Sequence, residues 1–200
     1  MLVLIFGLLH DHFMNILKIL VLFIAGLCFS LLPGRLSADT KSPGPSGNDN
    51  RHNIVSVKEL PDLVVSERNG TGEGVSAPFA GMLGDILVVA GGCNFPDKPA
   101  AEGGIKKYYD RIYILRHPLD QGSKWEKAGK LPVPVAYGVS VTIPEGIVCV
   151  GGNNATEELK TVYLLKWDEQ KSEVVVENLP SLPVAMDNMA GASDGKNIYV

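Results

Sequence analysis

Three observations predict an all-β chain made of repeated four-stranded units. First, a Gly doublet twice closes a short apolar run. Ile86-Leu87-Val88-Val89-Ala90 precedes Gly91-Gly92, and Gly146-Ile147-Val148-Cys149-Val150 precedes Gly151-Gly152. Second, each doublet leads through a polar loop to a Tyr-bearing run, Arg111-Ile112-Tyr113-Ile114-Leu115 and Thr161-Val162-Tyr163-Leu164-Leu165. Third, the features keep one beat, with a step of 60 residues between the doublets and of 50 between the tyrosines. A period near 50 with this order of features is that of a kelch-type β-propeller blade. A single blade cannot bury both its faces. Neighbours must stack on it, and the ring they close surrounds a central channel.

The elements follow in order along the chain. Residues 1–38 read as a secretory signal peptide, with Met14 as an alternative start. Lys18 supplies a positive charge, residues 19–32 an apolar core, and Leu36-Ser37-Ala38 small residues for cleavage before Asp39. An uncleaved anchor is the competing reading, because the second apolar run can span a bilayer if tilted. Cleavage would leave an exported protein, periplasmic or secreted, with no stable membrane association. Residues 39–52 form a polar linker rich in Pro, Gly and Ser.

Residues 53–200 are expected to form a partial propeller. Residues 53–59 read as an outermost strand that completes a blade whose inner strands lie elsewhere. Two complete blades cover about 75–130 and 135–178. Leu-Pro recurs at Leu60-Pro61, Leu131-Pro132 and Leu179-Pro180, each after a polar strand-like segment. The small residues in Ala136-Tyr137-Gly138-Val139-Ser140 and Met189-Ala190-Gly191-Ala192 suit innermost strands, where side chains crowd the channel. Asp194-Gly195 turns into a third blade. The chain is therefore expected to be a fragment, about two and a half blades of a ring that holds roughly 4–8.

Composition excludes several functions. The net charge is −4, and no basic run or interleaved aromatic patch suits a nucleic acid. His10, His12 and His52 fall in the leader or linker, and His117 precedes Pro118 in an outer turn, so no metal site is expected. No P-loop, HExxH or CxxC pattern occurs. Beyond the leader, Cys93 and Cys149 read as two buried thiols, with pairing left open. Chemistry must then come from carboxylates, amides, lysines and tyrosines.

Blade topology selects among these. The loop between strands 2 and 3 of a blade shares a face with the connection from strand 4 to the next strand 1. Both can surround one mouth of the channel. The first such loop carries Asn94, Phe95, Glu102, Lys106 and Lys107, and the second carries Asn153. The connections add Tyr137, Asp187 and Asn188. Lysines bind anions, amides bind hydroxyls and an aromatic ring gives a platform, which together suit a polar, sugar-like ligand. The plainer readings stand beside this one. Lys106 and Lys107 are adjacent, so an extended segment turns only one inward. A Glu in a Gly-rich loop, such as Glu102, is commonly just exposed. Asn153 can serve as a turn or loop cap. Tyr113, Tyr163, Trp125 and Trp167 read as packing residues.

The chain also resembles a known family. Phe79-Ala80-Gly81, Val89-Ala90-Gly91-Gly92, Asn94-Phe95, Glu102-Gly103-Gly104-Ile105-Lys106-Lys107-Tyr108 and Ala136-Tyr137-Gly138-Val139-Ser140 look like the N-acetylneuraminate epimerase (sialic acid mutarotase) family. The order of the blades resembles its cyclically permuted mutarotase branch. That resemblance implies a six-bladed, exported propeller that interconverts the anomers of N-acetylneuraminate by acid/base ring opening, with no cofactor and a small sialic acid-like sugar as partner. It also implies a cation for the sugar carboxylate and a catalytic glutamate in another blade, beyond Val200; the analogous position of the second blade here carries Asn153, whose amide cannot serve as a base. The chain departs from the family at Val133-Pro134-Val135, where an Arg commonly precedes Ala-Tyr-Gly. The competing expectation is a non-catalytic propeller that binds glycans or proteins.

Overall fold

The computed structural model describes residues 57–200, together with the backbone of Phe6 and Gly7. The rest of the expected leader (1–38), the linker (39–52) and residues 53–56 lie outside the described residues. In chain order the strands are β1 (Phe6–Gly7), β2 (Ser66–Arg68), β3 (Thr71–Glu73), β4 (Phe79–Leu83), β5 (Ile86–Ala90), β6 (Cys93–Asn94), β7 (Lys107–Tyr108), β8 (Arg111–Arg116), β9 (Trp125–Lys130), β10 (Val139–Ile143), β11 (Gly146–Val150), β12 (Val162–Asp168), β13 (Glu173–Leu179), β14 (Ala192–Ser193) and β15 (Asn197–Tyr199).

Two complete β-propeller blades result, the antiparallel sheets β4-β5-β8-β9 and β10-β11-β12-β13. Their limits agree with the two blades read from the repeat. β2 and β3 form a hairpin, β6 and β7 pair across the long first-blade loop, and β14 and β15 form a further hairpin on which β1 pairs. A bulge interrupts the β8–β9 ladder between Ile112 and Tyr113, opposite Gly129, whose φ is 143°.

The core lies between the blades. One cluster joins Ile86, Val88, Ile112 and Ile114 of the first blade to Ile147, Cys149, Tyr163 and Leu165 of the second. The opposite face of the second blade buries Val148, Val150, Val162 and Leu164 with Leu182 and Ile198. β11 is therefore covered on both faces, which explains its unbroken apolar run and the burial of all five of its residues. Tyr113 and Tyr163 are buried packing residues, as their period suggests. Arg116 stacks over the Trp167 ring at 4.6 Å, from one blade to the next. Cys93 and Cys149 are both free and buried, and burial pushes the Cys149 thiol far above its usual range.

Inner strands also meet directly. Ser140 Oγ donates to the Ala80 carbonyl at 2.7 Å and accepts from the Ala80 N–H at 3.0 Å. The Met82 N–H donates to Thr142 Oγ1 at 3.3 Å. β4 is the inner edge of its sheet, so these outward backbone groups have no ladder partner within their own blade. The next blade supplies one from its side chains.

The doublets work through backbone geometry. Gly91 and Gly151 have φ of 72° and 59°. A Cβ on either would stand 2.4 Å from the Val135 carbonyl or 2.3 Å from that of Met186. Only glycine combines a left-handed φ with so close an approach.

Two expectations need correction. Residues 57–59 of the proposed outer strand carry no strand. No inner strand lies beside them among the described residues, and a lone extended segment has no ladder to join. The segment is held by side chains instead, since Trp125 Nε1 donates to the Pro61 carbonyl at 2.8 Å and Lys58 Nζ to that of Leu119. The Leu-Pro register also slips in the second blade. The Leu131 N–H bonds the Asp110 carbonyl, and the matching bond to Lys160 comes from Leu182, not Leu179. β13 runs to Leu179, so Leu182-Pro183 is the true counterpart of Leu131-Pro132.

Candidate functional site

The loops and connections that were expected to share a face do so through a repeated backbone network. Gly92 N–H donates to the Val135 carbonyl and Gly152 N–H to that of Met186. Ser76 and Cys93 exchange both backbone bonds, and Ala136 and Asn153 do the same. The residue that follows each connection partner is left-handed: Ala77 (φ 52°), Tyr137 (φ 62°) and Asn188 (φ 50°). Tyr137 N–H bonds the Ala77 carbonyl at 3.0 Å, and Asn188 N–H bonds the Tyr137 carbonyl at 2.8 Å. These three residues form a ladder from blade to blade on the mouth-forming face.

Tyr137 is the centre of the site. Its hydroxyl oxygen accepts from Lys106 Nζ at 3.0 Å and from the buried Cys93 thiol at 3.5 Å. With both lone pairs engaged, its own O–H proton is free for a ligand oxygen. The Lys106 ammonium lies 4.8 Å from the Tyr137 ring centre, 5.8 Å from Phe95 and 5.9 Å from Tyr108. The Tyr137 hydroxyl bond raises the Lys106 pKa above its ordinary value, against the opposing effect of burial. Burial raises the Tyr108 phenol; nearby Lys106 opposes that shift, and Cys93, Tyr137 and Asp187 add to it. A cation framed by three aromatic rings suits a carboxylate that also offers sugar carbons to a flat surface. Beside it a cleft of about 560 Å³ opens between the two loops, lined among others by Pro96, Lys106, Lys107, Tyr108, Asn154 and Thr156.

The predicted residues divide into those that converge and those that do not. Phe95, Lys106 and Tyr137 come together. Lys107, the first residue of β7, is exposed and also borders the cleft, with its ammonium outside the three-ring cluster, 5.4 Å from the Tyr109 ring. Asn94 is buried and fully engaged. Its amide donates to Ser66 Oγ at 2.9 Å and to the Gly74 carbonyl at 2.8 Å, and its oxygen accepts from the Tyr109 hydroxyl at 2.8 Å. It ties the β2–β3 hairpin to the long loop. Glu102 ends an exposed 3-10 turn over Ala100–Glu102. Asn188 reaches the site through its backbone, and its side chain is exposed. Asn153 takes no left-handed turn. It bridges Ala136, and its side-chain amide donates to Asp187 Oδ2.

Cys93 and Tyr108 were not among the predicted site residues, and Asp187 was named only with the connections around the mouth. The position directly after each Gly doublet was a usable signal for Cys93, since it is the same position that carries Asn153. Among the described residues no group of three or more His, Cys, Asp or Glu side chains could hold a metal ion.

Similarity to known proteins adds to this geometry. The family model for N-acetylneuraminate epimerase matches residues 27–174. The chain is 38% identical over 122 residues to the N-acetylneuraminate epimerase of Brucella suis, covering 56% of this chain and 29% of that protein. It is 36% identical over 107 residues to the one of Yersinia enterocolitica, covering 49% and 26%. The solved structure of YjhT superposes with a TM-score of 0.46 at 28% identity, over 56% of this chain and 33% of that one. The matched region thus spans about three tenths of the length of the curated relatives.

Proposed function

Because the chain belongs to the N-acetylneuraminate epimerase family, whose model matches residues 27–174, we propose that the intact protein speeds exchange between the anomers of N-acetylneuraminate or a closely related carboxylated sugar. The observation that carries this reading is the Lys106 ammonium held at 3.0 Å by the Tyr137 hydroxyl among three aromatic rings. The reaction opens the sugar ring. The anomeric hydroxyl gives up its proton, the bond from the anomeric carbon to the ring oxygen breaks, and the ring oxygen takes a proton. The open-chain ketone then recloses on either face, and the two protons return. Nothing is oxidised or reduced.

Lys106 binds the sugar carboxylate. Tyr137 lays its ring against the sugar and offers its free O–H proton to an oxygen. Lys107 borders the same cleft outside the aromatic cluster, with its ammonium over Tyr109, and has a secondary part. A charge-assisted contact is worth about 1.5–3 kcal/mol, so Lys106→Ala lowers kcat/KM by about ten- to a hundredfold. The assay is NMR exchange between the two anomers, for the intact protein and for Lys106→Ala, Tyr137→Ala and Lys107→Ala. The expected result is a large loss in the first two and a smaller one in the third. A wild-type protein that gives only the spontaneous rate, yet binds the sugar, would make the molecule a binding propeller.

A further inference from the structure

Resting on that reading, we propose that the cleft beside Lys106 selects its sugar by the N-acyl group, with Ile105 against the acyl methyl and the Asn154 amide on the acyl carbonyl. Both residues line the cleft, one from each loop.

Ile105 is an apolar side chain that the fold holds in the open, 77% exposed. A lone exposed apolar residue is ordinary, but this one is fixed in place. Its N–H donates to the Asp97 carboxylate, at 3.2 Å to Oδ1 and 3.4 Å to Oδ2. One residue earlier the loop is drawn shut at its neck, where the Gly104 N–H donates to the Pro99 carbonyl at 3.0 Å. A Cβ on Gly104 would stand 1.9 Å from the Lys98 carbonyl oxygen, so only glycine lets the two arms close this far. The closed neck brings Ile105 back to Asp97, beside Pro96, which lines the same cleft. The next residues along each arm, Phe95 and Lys106, belong to the aromatic cluster that frames the ammonium. Apolar wall and carboxylate site are thus carried by the same two segments. Pro134 and Ala155 add further apolar surface to the cleft.

The second loop supplies a donor. Asn154 Oδ1 accepts from the Thr156 N–H and Oγ1, both at 2.8 Å, and from the Glu157 N–H at 3.0 Å. Three bonds to the oxygen fix which end of the amide is nitrogen. Its Nδ2 has no acceptor among the described residues and is free to donate to a ligand. Apolar wall and amide donor match the two ends of an acyl group, its methyl and its carbonyl oxygen. A bare sugar hydroxyl offers no methyl to the wall. In a sugar acid of this class the acylamino group stands across the ring from the carbon that bears the carboxylate. Anchoring the carboxylate at Lys106 therefore sends the acyl group away from the ammonium and into the adjoining cleft.

The test uses the intact protein with two sugars, N-acetylneuraminate and its analogue with a hydroxyl in place of the acylamino group. NMR anomer exchange gives kcat/KM for each, and saturation-transfer NMR reads which protons of the bound sugar touch the protein. The wild type is expected to prefer the acylated sugar by about ten- to a hundredfold, with the acyl methyl among the most strongly saturated protons. Ile105→Ala shrinks that preference and weakens the methyl signal. Asn154→Asp keeps the oxygen that holds the turn and removes the donor. Its added charge acts on both sugars alike, so a smaller ratio between them reports the lost carbonyl contact. Equal kcat/KM for the two sugars in the wild type, or a ratio that neither variant moves, overturns the acyl site and leaves the activity standing. A wild type with only the spontaneous rate overturns the activity; the acyl site then stands if the methyl is saturated and Ile105→Ala abolishes that signal, and falls if it is not.

Discussion

At the scale of single residues, the decisive neighbour is the Tyr137 hydroxyl beside Lys106. That bond raises the Lys106 pKa from an ordinary 10.5. The fold thus favours the charged form. Its contribution is fully present below the ordinary value and is lost only as pH rises through the higher folded one. Sugar binding is therefore expected to persist to higher pH than an ordinary lysine allows, and to weaken as pH rises through the raised value. Tyr137→Phe removes the largest cause of the shift, so its binding curve breaks at lower pH than the wild type. Affinity titrated against pH for both proteins checks this, and coincident curves would refute it. Part of this residue-scale picture was legible in the sequence. Of the adjacent pair Lys106-Lys107 only one was expected to turn inward; Lys106 alone enters the three-ring cluster, while Lys107 stands over Tyr109 at the border of the same cleft. Which lysine turned inward was not legible, because that depends on the register of β6 against β7, where Asn94 faces Lys107 and Cys93 faces Tyr108.

At the scale of elements, adjacent blades are joined where an edge would otherwise be bare. Ser140 Oγ serves both the N–H and the carbonyl of Ala80. Ser140→Ala removes both bonds, and at about 0.5–1.5 kcal/mol each it lowers stability by about 1–3 kcal/mol. Urea unfolding of the intact protein measures this, and an unchanged midpoint would show that water replaces the hydroxyl without cost. The strands themselves were readable because apolar run, glycine doublet and tyrosine keep a fixed order. The β2–β3 hairpin was not, since Ser66-Glu67-Arg68 and Thr71-Gly72-Glu73 carry no apolar alternation. It is held by the Arg68–Glu73 ion pair at 2.5 Å and by the Asn94 amide on Ser66. The slip from Leu179 to Leu182 has the same root. A dipeptide marks a turn, and only the length of β13 decides which of two candidates makes it.

At the scale of the whole molecule, the two complete blades share one core and stand or fall together. Leu165 is 1% exposed and packs in the cluster that joins them. Leu165→Ala is expected to cost about 2–5 kcal/mol and to lower a single unfolding transition seen alike by fluorescence and by circular dichroism. Two separated transitions would mean that the blades fold independently. The blade-to-blade ladder along the mouth has a further consequence. Its rungs are main-chain bonds, and they carry Ala77, Tyr137 and Asn188, three unlike side chains on one backbone shape. The rung asks for a left-handed residue, at a cost of about 1–2 kcal/mol for most side chains, and makes no other demand on identity. The scaffold thus works like a rack of identical pegs. Whatever hangs on a peg can be exchanged without rebuilding the rack, so a change of substrate in such a ring needs a few replacements at these positions and none in the strands that support them.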